Sequence, residues 1–335
     1  MKFAIDVFGG DNAPGAVIEG CVLALDANND FSLFLAGDEK KIRHELQKYK
    51  TDLSRIEIID APEIITCDEQ PTLAIKRKKN SSMVKALELV AEKKADCFVS
   101  AGSSGAILTG ATLIVRRMKG VKRPALAPVL PTREGCVLLI DAGANTDSKP
   151  SYLQQFALMG KAYMQGVMNI ENPRIGLINN GVEAEKGNEL TKHTYKLLEQ
   201  TPINFAGNCE AREILSGNYD VVVADGFVGN VVLKLLEGLA GTIFGMLKDE
   251  LTSNTRVKIG ALMSKPAFRS IKKKMDYSEY GGAPVLGIDG GIIKAHGSSN
   301  AKAIRSAINQ ARKYVIGNVN DSILSAIADI PVAED

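Results

Sequence analysis

Short apolar runs along the chain alternate with longer stretches of helical periodicity. Runs rich in β-branched and other apolar residues at 2–7, 31–36, 55–60, 96–100, 136–141, 174–178, 203–206 and 220–224 predict strands. Apolar positions spaced three and four apart predict helices over 14–28, 39–50, 71–79, 81–94, 104–118, 150–169, 185–200, 227–252, 298–316 and 319–328. Val221-Val222-Val223-Ala224 and Cys136-Val137-Leu138-Leu139-Ile140 are continuously apolar, as strands covered on both faces are. Strands separated by helices imply βαβ units and an α/β fold with a mostly parallel sheet. No internal repeat breaks the pattern. The stretch Arg123–Arg133 holds Pro124, Pro128 and Pro131 and reads as an extended connection. The expectation is one domain over 1–335, with any division into two closely packed subdomains falling near 120–135.

Composition narrows the classes. The chain has 335 residues, 45% hydrophobic and 24% charged, which suits a globular protein with a large core. A net charge of +2, no Trp and 5% aromatics give no basis for a nucleic-acid surface. Five cysteines, Cys21, Cys67, Cys97, Cys136 and Cys209, are scattered without a paired motif, which argues against a disulfide framework or a zinc site. Cys97 and Cys136 lie in strand-like runs and read as small buried hydrophobes. The first strand begins within two residues of the N-terminus and no apolar run reads as a membrane span, so the expectation is a cytoplasmic protein without a signal peptide.

The candidate chemistry sits in the loops. Phe8-Gly9-Gly10-Asp11-Asn12, Ala101-Gly102-Ser103-Ser104-Gly105, Asp141-Ala142-Gly143-Ala144-Asn145, Asn179-Asn180-Gly181 with Glu185-Lys186-Gly187-Asn188, and Asp225-Gly226-Phe227-Val228-Gly229-Asn230 each follow a predicted strand. Ala295-His296-Gly297-Ser298-Ser299-Asn300 opens a late helix. In open α/β sheets, ligands bind outside the carboxyl ends of the strands. Glycine lets backbone N–H groups approach a ligand, and a helix N-terminus favours an anion. The set predicts a phosphate-handling site. No dinucleotide fingerprint follows the first strand, and neither a P-loop nor a Gly-x-Ser-x-Gly elbow occurs. Of His44, His193 and His296, only His296 has a functional setting, so a Ser-His-Asp triad would have to run through it.

These motifs together resemble the phosphate acyltransferases of bacterial phospholipid synthesis, the PlsX family. The resemblance runs from Ala4-Ile5-Asp6 and Gly9-Gly10-Asp11 through Ser100-Ala101-Gly102, Lys186-Gly187-Asn188 and Asp225-Gly226-Phe227-Val228-Gly229-Asn230 to Glu279-Tyr280-Gly281-Gly282-Ala283-Pro284 and His296-Gly297-Ser298-Ser299. Two positions depart from the family pattern: Asn12 replaces a His, and Ser103-Ser104 replace Asn-Thr. The resemblance implies a three-layer α/β/α fold like the isocitrate/isopropylmalate dehydrogenase and phosphotransacetylase group, usually a homodimer. It implies transfer of a fatty acyl group from acyl carrier protein to inorganic phosphate, with no metal or cofactor. The acyl phosphate would pass to a membrane glycerol-3-phosphate acyltransferase. The rivals are a phosphate acetyl- or butyryltransferase using coenzyme A, a dehydrogenase of the related fold, and a non-catalytic scaffold.

On that resemblance, Lys186 and Asn230 lead as charge stabiliser and oxyanion donor, and His296 as a hydrogen-bond or proton donor to the leaving thiolate. Asn145 and Asn188 would orient phosphate or the acyl carbonyl, with helix capping or Asx turns as the alternative. Gly10, Asp11, Ser103, Ser104, Gly297 and Ser298 would surround phosphate. Asp225 joins them, with the alternative that it and Asp6 only fix loop backbones. The basic amphipathic segment 256–274 would touch an anionic membrane peripherally or face a dimer partner. Lys76, Arg77, Lys78, Lys79 and Lys85 form a docking candidate for the acidic carrier protein or a solvated face. The apolar helix over 227–252 reads as core or dimer interface.

Overall fold

The computed structural model describes residues 1–274 and 281–330. The predicted strands form as β1 (Lys2–Asp6), β2 (Ser32–Gly37), β3 (Ile56–Asp60), β4 (Cys97–Ser100), β7 (Cys136–Ile140), β8 (Arg174–Asn179), β9 (Asn204–Glu210) and β10 (Val221–Val223). Between them come β5 (Ala125–Leu126) and β6 (Val129–Pro131), and later β11 (Ala283–Leu286) and β12 (Gly291–Lys294). These four short strands were not predicted. They build two sheets where the sequence suggested one. A seven-stranded sheet has the order β3-β2-β1-β4-β12-β11-β5 and a five-stranded sheet the order β6-β7-β10-β8-β9. Both are mostly parallel, with antiparallel pairing confined to β11 with β12 and β5, and to β6 with β7.

The chain passes from the first sheet to the second between Leu126 and Val129 and returns for β11 and β12. Each predicted helix forms: α1 (Gly15–Ala27), α2 (Glu39–Leu46), α3 (Pro71–Arg77), α4 (Ser82–Ala91), α5 (Ser104–Gly110), α6 (Pro150–Met168), α7 (Glu189–Glu199), α8 (Gly226–Leu251), α10 (Ala301–Ile316) and α11 (Val319–Ala328). α5 continues into a wider helical turn over Ala111–Val115, and α9 spans Thr255–Lys274. Helix starts follow the local chemistry. Asp38, Ser81, Asn188, Asp225 and Asn300 each accept a backbone N–H of the first turn, and Pro150 opens α6.

Strand alternation sorts the core. Phe3 and Ile5 of β1 join Leu138 and Ile140 of β7 in one buried cluster that runs across both sheets, with α1, α6, α10 and α11 between them. Ala4 and Phe98 face the opposite way, onto α3, α4 and α5. Val137, Leu139 and Val222 face outward on the second sheet, where Val232 and Leu236 of α8 pack. Inside the shared cluster, Gln310 Nε2 donates to Tyr163 Oη at 2.5 Å, a buried polar link between α10 and α6. Burial pushes the Cys136 thiol up to about 11 and the Cys97 thiol higher, so both stay protonated.

α8 departs from expectation. It is long and apolar enough, by length and composition, to cross a membrane, so the expectation that no run approaches a span does not hold. Nor is it a core helix of this chain: Phe227, Leu235 and Met246 are 63%, 65% and 65% exposed. Its first turn is fixed in the fold, where Gly226 and Gly229 are buried against the loop after β7.

Tyr163→Phe would leave the buried Gln310 amide without its acceptor. The expected cost is about 1–3 kcal/mol, seen as a lower urea midpoint with an unchanged slope. An unchanged midpoint would show that the link carries no stability.

Candidate functional site

The parallel strands β1, β4 and β12 lie side by side, so their carboxyl ends deliver three loops to one place. Gly9 packs against Ser100 and Gly102, and a Cβ there would lie 2.8 Å from the Gly102 nitrogen. Gly10 has φ +100° and closes on Ala101 and Gly297, space and conformation that only glycine fits. Asp11 N–H donates to Gly297 O at 2.8 Å. Asn12 Nδ2 donates to Ser298 O and Ser299 O at 3.1 and 3.2 Å. Asn12, at a position where the family pattern is broken, thus clamps the first loop to the last. Beneath them Asp6 is buried and accepts Ser100 Oγ–H at 2.7 Å, while Ser100 Oγ accepts Gly102 N–H. Burial raises the Asp6 pKa against the pull of its hydrogen bonds. Gly10, Asp11, Gly297, Ser298 and His296 are therefore together, with Ser103 and Ser104 starting α5 beside them. Ser103 Oγ caps that helix through Ala106 N–H.

The second sheet supplies the other set. Asp141 is fully buried and its carboxylate accepts Leu126 N–H, Ala144 N–H, Asn145 N–H and Asn145 Nδ2–H at 2.8–3.0 Å. Asn145 Nδ2 also donates to Pro124 O at 2.8 Å. Both amide protons of Asn145 are thereby engaged inside the protein, as in the turn-forming alternative to its orienting phosphate or the acyl carbonyl. Asp225 Oδ1 accepts Phe227 N–H and Val228 N–H, each at 3.0 Å. The loop-fixing alternative is the one these bonds describe for Asp6 and Asp225. Asn188 Oδ1 accepts Thr191 N–H at 2.9 Å as the cap of α7.

Asn230 and Lys186 differ. Among the described residues neither side chain makes a hydrogen bond or ion pair with the protein, and both are exposed. Asn230 stands against Gly143, where a Cβ would lie 3.4 Å from Asn230 Oδ1. Lys186 lies in the loop after β8, the strand next to β10, so it belongs to the same sheet end. Asn179 Nδ2 donates to Lys186 O at 3.1 Å and holds that loop.

The start of α8 brings charge from the second set toward the first. The Lys234–Glu237 pair of α8, at 2.8 Å, acts electrostatically on Lys294 and His296 at the end of β12. Lys294 was not singled out from the sequence. It ends a four-residue strand that the pattern did not reveal, and its spacing of two from His296 was the available signal. Burial, then Lys234, holds the Lys294 ammonium below its ordinary value. Burial and then Lys294 likewise lower His296 below 6.5, with Glu237 and Asp11 pulling the other way. Ser298 N–H donates to His296 Nδ1 at 3.3 Å, and Ser298 Oγ lies 2.9 Å from the same nitrogen. With Nδ1 an acceptor, the neutral ring carries its proton on Nε2. Glu279 and Tyr280 of the Gly-Gly-Ala-Pro motif lie outside the described residues.

Comparison with known proteins gives the family and the fold. A family model described as fatty acid synthesis protein matches residues 1–322. A phosphate acyltransferase of Clostridium perfringens is 53% identical over 328 residues, covering 96% of this chain and 97% of the relative. One from Clostridium acetobutylicum is 52% identical over 330 residues, covering 98% and 100%. Among solved structures, a phosphotransacetylase from Streptococcus pyogenes superposes with TM-score 0.61 at 16% identity, over 94% of each chain. The fold is thus the one expected, shared with phosphotransacylases.

Protonating His296 would place a second N–H against the Ser298 N–H that Nδ1 accepts. The kcat/KM profile is expected to fall on the acid side with a midpoint below 6.5, and that midpoint should be lost in His296→Gln. A profile unaltered by the substitution would remove His296 from the reaction.

Proposed function

The chain belongs to the fatty acid synthesis protein family of phosphate acyltransferases, and we propose that it transfers a fatty acyl group from acyl carrier protein to inorganic phosphate. One observation supports the reading: in the strand-end loops of the second sheet, Lys186 and Asn230 are exposed and make no side-chain hydrogen bond or ion pair with the protein among the described residues. Phosphate is held by backbone N–H groups at Ser103-Ser104 and Gly297-Ser298, with Gly10 and Asp11 shaping the loop beside it. A phosphate oxygen attacks the thioester carbon, forming the C–O bond of a tetrahedral intermediate. Lys186 and Asn230 stabilise its oxyanion, and Asn188 lies on the same loop to orient the acyl carbonyl. Collapse breaks the C–S bond. The departing thiolate takes a proton from the cleft, where the His296 Nε2–H and the Lys294 ammonium stand. No protein nucleophile is needed, because phosphate is itself one, and binding aims it at the carbonyl.

The fold shared with phosphotransacetylases favours a second reading, a phosphate acetyl- or butyryltransferase using coenzyme A. Mass spectrometry of products from carrier thioester or acyl-coenzyme A plus phosphate separates the two. The first reading expects acyl phosphate chiefly from the carrier thioester, and turnover of short acyl-coenzyme A alone would replace it with the second.

The exposed apolar face of α8 and α9 belongs to the same proposal. Ile259, Leu262 and Met263 are 60%, 67% and 81% exposed, beside the basic side chains Arg256, Lys258, Lys265 and Arg269. A second copy of the chain covers part of this face as a homodimer, and the basic end of α9 rests peripherally on anionic membrane. The protein is placed in the cytoplasm at that surface, where a membrane glycerol-3-phosphate acyltransferase consumes the acyl phosphate.

Lys186→Ala and Asn230→Ala are each expected to keep the wild-type melting temperature while losing about 10²–10³ in kcat. Wild-type turnover by both proteins would overturn their assignment.

A further inference from the structure

A groove beside α5 has no role so far. A hollow of about 360 Å³ lies between α3, α5 with its wide turn, and the loop after β7, with Thr72, Leu108, Leu113, Arg123, Ala144 and Asn145 among its walls. Thr112, Leu113 and Arg117 also line a second hollow of about 510 Å³, together with Arg116. One end reaches Ala144-Asn145, next to the Gly143 on which Asn230 stands. From Ser104 at the start of α5 to Thr112 is eight residues, about 12 Å of helix. A thin arm lying along α5 would therefore run from the surface to the acyl-transfer position. Threonine side chains at Thr72, Thr109 and Thr112 beside Leu108 and Leu113 suit an arm that carries both amides and methylene groups.

The rim of the groove is basic. Residues 116–123 hold Arg116, Arg117, Lys119, Lys122 and Arg123 and no acid. Arg116, Lys119 and Arg123 are exposed and pair with no carboxylate among the described residues. Lys76 follows Thr72 by one turn on the same face of α3 and adds to them. In the cluster at 76–85, by contrast, Lys78 is 2.7 Å from Glu69 and Lys85 2.9 Å from Glu88, so part of its charge is neutralised. Arg117 holds the turn by donating to the Val121 and Lys122 carbonyls, and the Arg123 guanidinium lies over the Tyr152 ring at 5.7 Å.

We propose that this rim and groove dock an acidic carrier protein, with its thioester-bearing arm lying along α5. The inference rests on acyl carrier protein being the donor. Charge complementarity gives the carrier its position, and the groove gives its arm a direction.

The test uses the full chain, carrier thioester and acyl-coenzyme A, with the variants Arg116→Glu/Lys119→Glu and Leu113→Trp. The double variant is expected to raise KM for the carrier thioester by about tenfold or more, with kcat within about twofold, and to flatten the dependence of KM on salt. Its effect on acyl-coenzyme A should be smaller, since no acidic protein is docked. Leu113→Trp narrows the groove and should raise KM for both donors. A double variant with unchanged KM for the carrier overturns the docking surface, as does an equal rise for both donors. If the wild type makes no acyl phosphate from the carrier thioester, the donor reading itself fails and this surface falls with it. If the wild type uses the carrier and the variants match it, the surface alone is removed.

Discussion

Asp141 sits where the two halves of the molecule meet, and its carboxylate gathers N–H groups from two segments. Leu126 lies on the segment crossing between the sheets, while Ala144 and Asn145 lie on the loop after β7. Gly229 in the first turn of α8 is pressed against the Asp141 carbonyl, and Gly226 N–H donates to Asn145 O at 2.8 Å. A buried carboxylate is costly unless it is fully hydrogen-bonded, so the loop is held in the one shape that supplies those donors. Burial still raises the Asp141 pKa against these bonds. The first turn of α8 and the loop after β7 depend on this arrangement. It fixes where α8 begins, hence where Asn230 stands and from where Lys234 and Glu237 act on Lys294 and His296.

The other side is built by close approach. Parallel β1, β4 and β12 bring three loops so near that glycine is required at Gly10, and Asn12 ties the first loop to the last. Side chains that hold the scaffold and groups left for substrate are thus separated. Asp6, Asp141, Asn145 and Asp225 are engaged with the protein, whereas Lys186 and Asn230 are not. That separation suits a reaction whose nucleophile arrives with the substrate. In the proposed reaction the protein's part is position and a place for developing charge.

Much of this was legible in the sequence. Eight of the twelve strands and ten helices followed from apolar periodicity, and the glycine-rich ends of strands marked the candidate loops. The strands β5, β6, β11 and β12 did not, because runs of two to four residues flanked by Gly or Pro carry too little alternation to separate from loops. Missing β12 hid Lys294 and the neighbourhood of His296. The roles of Asn145 and Asp225 were ambiguous for another reason: the residue types that bind anions or carbonyls also cap helices and turns, and only the observed hydrogen bonds divide them. For α8 the apolar pattern was right, and of its two readings, core or dimer interface, the core one does not hold, since periodicity reports an apolar face without saying what covers it.

The central claim is that the loops of the first sheet hold phosphate opposite Lys186 and Asn230. A structure determined with inorganic phosphate tests it most directly. The account predicts the ion between the start of α5 and Gly297-Ser298, within hydrogen-bond distance of their backbone N–H groups. Phosphate ordered elsewhere on the protein, with that cradle empty at saturating concentration, would contradict it.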